Sequence, residues 1–237
     1  MPWSSTARRS RWIRSSTGSS IWWSARVVFR ISRAVIRLVL RAIFGFRVEG
    51  GHHEPRTGAL LIVSNHVSDL DPLVVGSAIR RPVHYMAKEE LFRPPLLRWW
   101  IIHCGAFSVR RGEPDRRAFR AARDVLERGD ALIMFPEGTR GTSIRDLRPP
   151  EPGAALLALR TGATILPVAV IGTDTVLPRG ASRPSRGTIR VRVGAPIRGG
   201  ADGRPLGSGH IGRDQVDALG RRFMDVIARL LGVAGPA

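Results

Sequence analysis

The chain has 237 residues, with 38 Lys plus Arg against 19 Asp plus Glu, and a formal net charge of +19. That length suits one domain with a substantial core and argues against a second full domain, and the single cysteine, Cys104, excludes an internal disulfide and any multi-cysteine metal site. The charge implies an anionic partner: nucleic acid, an acidic lipid surface, a phosphorylated substrate or an acidic carrier protein. Lys88 is the only lysine, so part of the arginine excess reads as compositional bias and not as a binding signal.

Residues 1–20 are rich in Ser and Arg with little apolar periodicity and read as a disordered or surface-bound basic tail. Over residues 21–46 the pattern changes. Arg26, Arg30, Arg33, Arg37 and Arg41 recur every three or four positions and fall within roughly 80° of a helical wheel. Trp22, Trp23, Val27, Phe29, Ile31, Val35, Leu38, Leu40, Ile43 and Phe44 cover the other faces. Such a helix suits a lipid boundary, since its arginines are costly at a bilayer centre and interrupt the apolar run a signal peptide needs. The alternative is a helix packed on the domain with a solvated arginine stripe.

The compact domain is expected over residues 47–237. Apolar runs at Leu60–Val63, Val83–Ala87, Ala106–Arg110, Ala131–Phe135, Ile165–Ile171 and Thr188–Val193 read as strands. Helical patterns lie at Pro72–Ile79, Asp115–Arg128, Pro152–Arg160 and Asp214–Leu231. This alternation predicts an α/β fold, one domain with a central mixed, largely parallel sheet flanked by helices, and functional loops at the carboxyl ends of the strands.

Two strand exits carry chemistry. Ser64-Asn65-His66-Val67-Ser68-Asp69-Leu70-Asp71-Pro72 follows the first run. His66 and Asp71 would stand roughly 140° apart on one helix, so they meet only across a turn. With Asp71 capping a helix that begins at Pro72, His66 stays in the loop and folds back onto the carboxylate as a base with its orienting acid; the plainer reading is a helix cap beside a loop histidine. Phe135-Pro136-Glu137-Gly138-Thr139-Arg140-Gly141 leaves the fourth run. Its glycines admit close approach of backbone N–H groups to an anion, and Arg140 suits a phosphate; the plainer reading is a turn with a Glu137–Arg140 ion pair. A third exit, Gly105 to Gly112, delivers Arg110 and Arg111.

In order and spacing these pieces resemble the lysophospholipid acyltransferase family, in particular 1-acylglycerol-3-phosphate acyltransferases. His66 and Asp71 match its first block, Gly105 to Arg111 the second, Phe135 to Arg140 the third and Ile165-Leu166-Pro167-Val168 the fourth; the likeness covers about residues 48–175. It implies acyl transfer from a thioester, acyl-CoA or acyl-carrier protein, to the free hydroxyl of a lysophospholipid acceptor, lysophosphatidate above all. His66, Asp71 and Lys88 would be catalytic. Asn65, Gly105, Arg111, Glu137, Gly138, Thr139, Arg140 and Pro167 would bind substrate, with Glu137 orienting an arginine or a glycerol hydroxyl. No metal or cofactor is expected, and the place of action is the membrane lipid surface on the cytoplasmic face. Where the family has an aromatic and a basic residue, this chain has Pro150-Glu151-Pro152, which leaves another lipid or glycolipid acceptor open.

Three rivals remain. A serine acyl-enzyme at Ser64 or Ser68 lacks a nucleophile-elbow sequence. A nucleic-acid-binding protein is suggested by charge, but no recognition module is present and no nucleic-acid partner is expected. An inactive membrane scaffold of the same fold would not need His66 and Asp71.

Overall fold

The computed structural model describes residues 19–109, 116–199, 205–206 and 209–236. Residues 1–18 of the expected tail, and Arg110 and Arg111, lie outside the described residues. Strands β1 (Arg47–Glu49), β2 (Leu60–Ser64), β3 (Val83–Lys88), β4 (Ala106–Val109), β5 (Ala131–Met134), β6 (Thr164–Ile171) and β7 (Arg190–Val193) form one sheet, ordered β1-β7-β6-β2-β5-β3-β4. β2 to β6 run parallel, β7 is antiparallel to β6, and β1 is parallel to β7.

The helices are α1 (Ser19–Phe44), α2 (Asp71–Ala78), α3 (Pro95–His103), α4 (Arg116–Glu127), α5 (Pro152–Thr161), α6 (Thr173–Val176) and α7 (Arg213–Leu231). Successive side chains of a strand point to opposite faces, and the core divides accordingly. Leu61 and Val63 of β2 join α4, α5 and α7, while Leu60 and Ile62 join α1 and α2. β2 is fully buried on both faces, as expected of a central parallel strand.

β1 and α3 were not anticipated from the sequence. β1 has only three residues, and α3 follows Pro94-Pro95, which reads as a breaker although a proline is tolerated in a first helical turn.

Helix α1 presents Phe29, Leu40 and Phe44 to the core. Arg33 and Arg37 do not form a freely solvated stripe: both are partly buried, and the Arg37 guanidinium donates to the Ser77 carbonyl at 3.5 Å. Burial pulls both below the ordinary arginine pKa, with the Glu54 carboxylate opposing that effect at Arg33. The outward arc is apolar, with Leu38 68% and Ile31 59% exposed beside Val27, Val35 and Ile43. Among the described residues no helix is long and apolar enough to cross a membrane.

Candidate active site

β2 and β5 are parallel neighbours, so the His66 and Glu137 loops leave the same edge of the sheet side by side. The loop is fixed first at Asn65. Its side-chain Nδ2 donates to the Val170 carbonyl at 2.9 Å, and its Oδ1 accepts the Val170 N–H at 2.8 Å. A side-chain amide thus extends the pairing of β2 with β6 beyond the last backbone pair, Ser64 with Val168. Asn65 was expected to bind substrate; it is fully buried and its amide holds the loop instead.

His66 is next, and the other loop grips both of its backbone groups. Its N–H donates to Glu137 Oε1 at 2.9 Å, and its carbonyl accepts the Gly141 N–H at 2.8 Å. The imidazole stacks on Phe135 with centroids 4.2 Å apart. Nδ1 lies 2.9 Å from Asp71 Oδ2, which also accepts the N–H groups of Val67 and Ser68, each at 2.7 Å. With the proton on Nδ1, the Nε2 lone pair is left for a substrate.

Asp71 is not the helix cap anticipated for it. It is the first residue of α2, with Leu70 at the cap position, and its carboxylate turns back onto the loop. Burying a carboxylate costs several kcal/mol, on the order of what three well-aligned donors return. The remaining oxygen, Oδ1, is buried with no hydrogen-bond partner among the described residues.

Glu137 is buried, and its Oε2 accepts the Arg148 N–H at 3.3 Å. Desolvation pushes its carboxyl above the ordinary range, against the pull of the His66 and Arg148 N–H groups. It therefore ties loops together and does not pair with Arg140. Arg140 instead forms an ion pair with Asp69, and its carbonyl accepts from the Arg179 guanidinium at 3.4 Å. Gly138 turns the loop at φ +69°, with Glu151 lying over it: a Cβ on Gly138 would sit 3.0 Å from Glu151 Cγ. Thr139 is half-buried between Gly138 and Arg140.

The other expected site residues lie elsewhere. Lys88 ends β3, separated from β2 by β5, which sets the two strands roughly 10 Å apart; it is not brought against His66. Gly105 precedes β4 at the opposite, amino edge of the sheet. Its φ of +87° and the Val83 carbonyl, 2.6 Å from where a Cβ would stand, give it a backbone role. Pro167 is buried within β6 opposite Val63. Arg111 falls outside the described residues. Ser64 Oγ donates to the Asn65 carbonyl and Ser68 Oγ to the Leu177 carbonyl, so neither serine is held by His66.

Sequence reasoning missed the present roles of Phe135, Asp69 and Arg179. The first two lie within the motifs already singled out, whereas Arg179 stands in a loop with no motif to mark it. Among the described residues no group of three or more His, Cys, Asp or Glu is placed to hold a metal ion.

Residues 45–171 match the acyltransferase family model. The chain is 30% identical over 181 residues to a 1-acyl-sn-glycerol-3-phosphate acyltransferase of Streptococcus pneumoniae, covering 73% of this chain and 63% of that protein. It is 30% identical over 193 residues to a lyso-ornithine lipid O-acyltransferase of Pseudomonas aeruginosa, covering 74% and 68%. In structure it resembles the 1-acyl-sn-glycerophosphate acyltransferase PlsC of Thermotoga maritima, with a TM-score of 0.72, 24% identity and coverage of 86% of this chain and 78% of that one. The chain thus spans a little under two thirds of the S. pneumoniae relative.

Proposed function

The chain belongs to the acyltransferase family, and from that premise we propose that it transfers a fatty acyl group from an acyl thioester to the free hydroxyl of a lysophospholipid, lysophosphatidate giving phosphatidate. The observation that carries this reading is the His66–Asp71 pair: a buried imidazole whose Nδ1 is held by a carboxylate at 2.9 Å, as a general base requires. His66 Nε2 takes the proton of the acceptor hydroxyl as that oxygen bonds to the thioester carbonyl carbon. The tetrahedral intermediate then breaks its C–S bond, and the imidazolium returns the proton to the departing thiolate. Asp71 stabilises the imidazolium and fixes the tautomer. Negative charge on the carbonyl oxygen calls for backbone N–H donors. Arg140 takes the acceptor's headgroup phosphate. No metal or cofactor is needed for these steps, and acyl-CoA or acyl-carrier protein supplies the thioester.

The reaction takes place at a membrane surface, on the cytoplasmic face. Support comes from the outward apolar arc of α1 and from Leu96, Trp99 and Ile102, exposed on α3. The two helices touch where the Trp100 indole donates to Ser32 Oγ at 2.9 Å. An apolar face with Trp and flanking Arg suits the interface between headgroups and acyl chains. A second reading keeps the chemistry and changes the acceptor to another lipid or glycolipid. It is favoured by the likeness to the P. aeruginosa enzyme and by Glu151, a carboxylate over the Gly138 turn.

The test is acyl transfer by the full chain on vesicles, with a panel of lysolipid acceptors and both donor types. Transfer to lysophosphatidate that falls by about 10²–10⁴-fold in His66→Ala is expected. Undiminished transfer in that variant overturns the assignment of the base.

A further inference from the structure

Two carboxylates stand two residues apart in the His66 loop and have opposite surroundings. Asp71 is fully buried and accepts three donors on one oxygen. Asp69 projects outward, its side chain 65% exposed, and among the described residues its one charged partner is Arg140. The Arg140 side chain is only 17% exposed, and the adjoining Gly141 N–H is fastened to the His66 carbonyl. The cation is therefore held beside the base, while the anion resting on it is the solvent-facing member. Glu151 adds a second carboxylate over the neighbouring turn. Arg179 adds a second guanidinium, donating to the Arg140 carbonyl.

From this arrangement we propose that Asp69 is a specificity-determining residue, an internal counter-ion that competes with the acceptor's phosphate for Arg140 and weights acceptor choice toward headgroups carrying a cation beside their anion. The proposal rests on the reading of Arg140 as the headgroup residue. A phosphate monoester, with a charge near −2, must displace Asp69 from Arg140 and then lie against the displaced carboxylate. A zwitterionic headgroup places its anionic group on Arg140 and its ammonium on Asp69, so both charges of the rim stay paired. Carboxylate and phosphate both satisfy a guanidinium fork through paired hydrogen bonds, which is why one can stand in for the other.

The experiment compares lysophosphatidate with lysophosphatidylethanolamine as acceptors for the wild type, Asp69→Asn and Asp69→Ala. Both substitutions are expected to raise the ratio of kcat/KM for lysophosphatidate over the zwitterion by roughly fivefold or more, the effect of removing one like charge about 4 Å away at a hydrated surface. The change falls on the KM for lysophosphatidate, and it shrinks as salt is raised. An unchanged ratio in both variants overturns the proposal. So does a higher KM for lysophosphatidate, which makes Asp69 a support that holds Arg140 in place.

Binding of monomeric hexanoyl lysophosphatidate to His66→Ala and to the His66→Ala, Asp69→Asn double variant reads the same competition without turnover. Tighter binding by the double variant upholds the counter-ion role even if the wild type transfers no acyl group, an outcome that sinks only the proposed function. Equal or weaker binding overturns the role of Asp69.

Discussion

The loop around His66 and the rim around Arg140 are joined by the hydrogen bond from Gly141 to the His66 carbonyl, yet they are built in opposite ways. At His66 the neighbours are buried, with Phe135 half-buried. Glu137 and Gly141 hold its backbone, Asp71 its Nδ1, Phe135 its ring, and Asn65 the residue before it. At the rim the exposed Asp69 carboxylate faces Arg140. Buried hydrogen bonds fix geometry because breaking one strands a desolvated partner, whereas an exposed ion pair is worth at most about 1 kcal/mol and gives way to a competing anion. The contrast suits proton transfer, which tolerates little displacement, set beside headgroup selection, which must exchange ligands.

The largest effect expected from breaking the buried side comes from Asp71→Ala. It strands the His66 ring N–H and the Val67 and Ser68 N–H groups together, so kcat should fall by about 10²–10⁴-fold and unfolding free energy by about 1–3 kcal/mol. Steady-state rates and chemical denaturation read the two losses separately. If activity survives while stability drops, Asp71 is a loop fastener and His66 has no orienting acid. Asn65→Ala is the milder version. It removes both contacts to Val170 and should cost about 1–2 kcal/mol with roughly a tenfold loss of kcat, since the base is displaced and not removed. Full activity at lowered stability would mean that the pairing with β6 does not set the position of His66.

How much of this arrangement was legible in the sequence depended on the length scale of the signal. The run Leu60-Leu61-Ile62-Val63 with its chemical exit marked β2 and the His66 loop, because a fully buried parallel strand needs an unbroken apolar run. Spacing and turn geometry allowed the His66–Asp71 contact beside the plainer reading of a helix cap; the carboxylate turns back to the loop although Asp71 is the first residue of α2. The backbone-fastening roles of Asn65 and Glu137 were not legible, for one reason. A buried polar side chain that satisfies distant backbone groups looks, in sequence, the same as one that faces a ligand. The partner of Asn65 is 105 residues away, and nothing at Val170 marks it. Gly105 and Pro167 fell within motif-like strings, but the strand direction that puts one at the amino edge and the other inside β6 is a property of the whole sheet. The faces of α1 were legible as apolar and basic, while which apolar arc packs inward required α2 and the sheet.

A third region sharpens the comparison because it is exposed yet apolar. Replacing Ile31 and Leu38 on the outer arc of α1 with Glu should lower partition onto anionic vesicles by roughly tenfold or more, since each loses about 1–2 kcal/mol of apolar burial at the lipid boundary. Both side chains are more than half exposed, so thermal stability in solution should change little. Vesicle sedimentation and a melting curve are sufficient to check this. Unchanged partition would move membrane contact away from this arc.

The smallest effect expected lies back in the buried corner and distinguishes a strained carboxyl from a comfortable one. Burial raises the folded-state pKa of Glu137 above its ordinary value, so between those two values the folded chain holds more protons than the unfolded chain. The sign then follows: this group's contribution to stability is fully present below the ordinary glutamic acid pKa and is lost as pH rises through the raised one. Glu137→Gln removes that titration while preserving the side-chain carbonyl that can accept the His66 N–H. The melting temperature of the Gln variant relative to wild type should therefore be higher at about pH 7 than at about pH 4, values on either side of the ordinary glutamic acid pKa. A difference independent of pH would mean that the N–H groups of His66 and Arg148 hold the ionised carboxylate as well as water does, and that the corner is built without electrostatic strain.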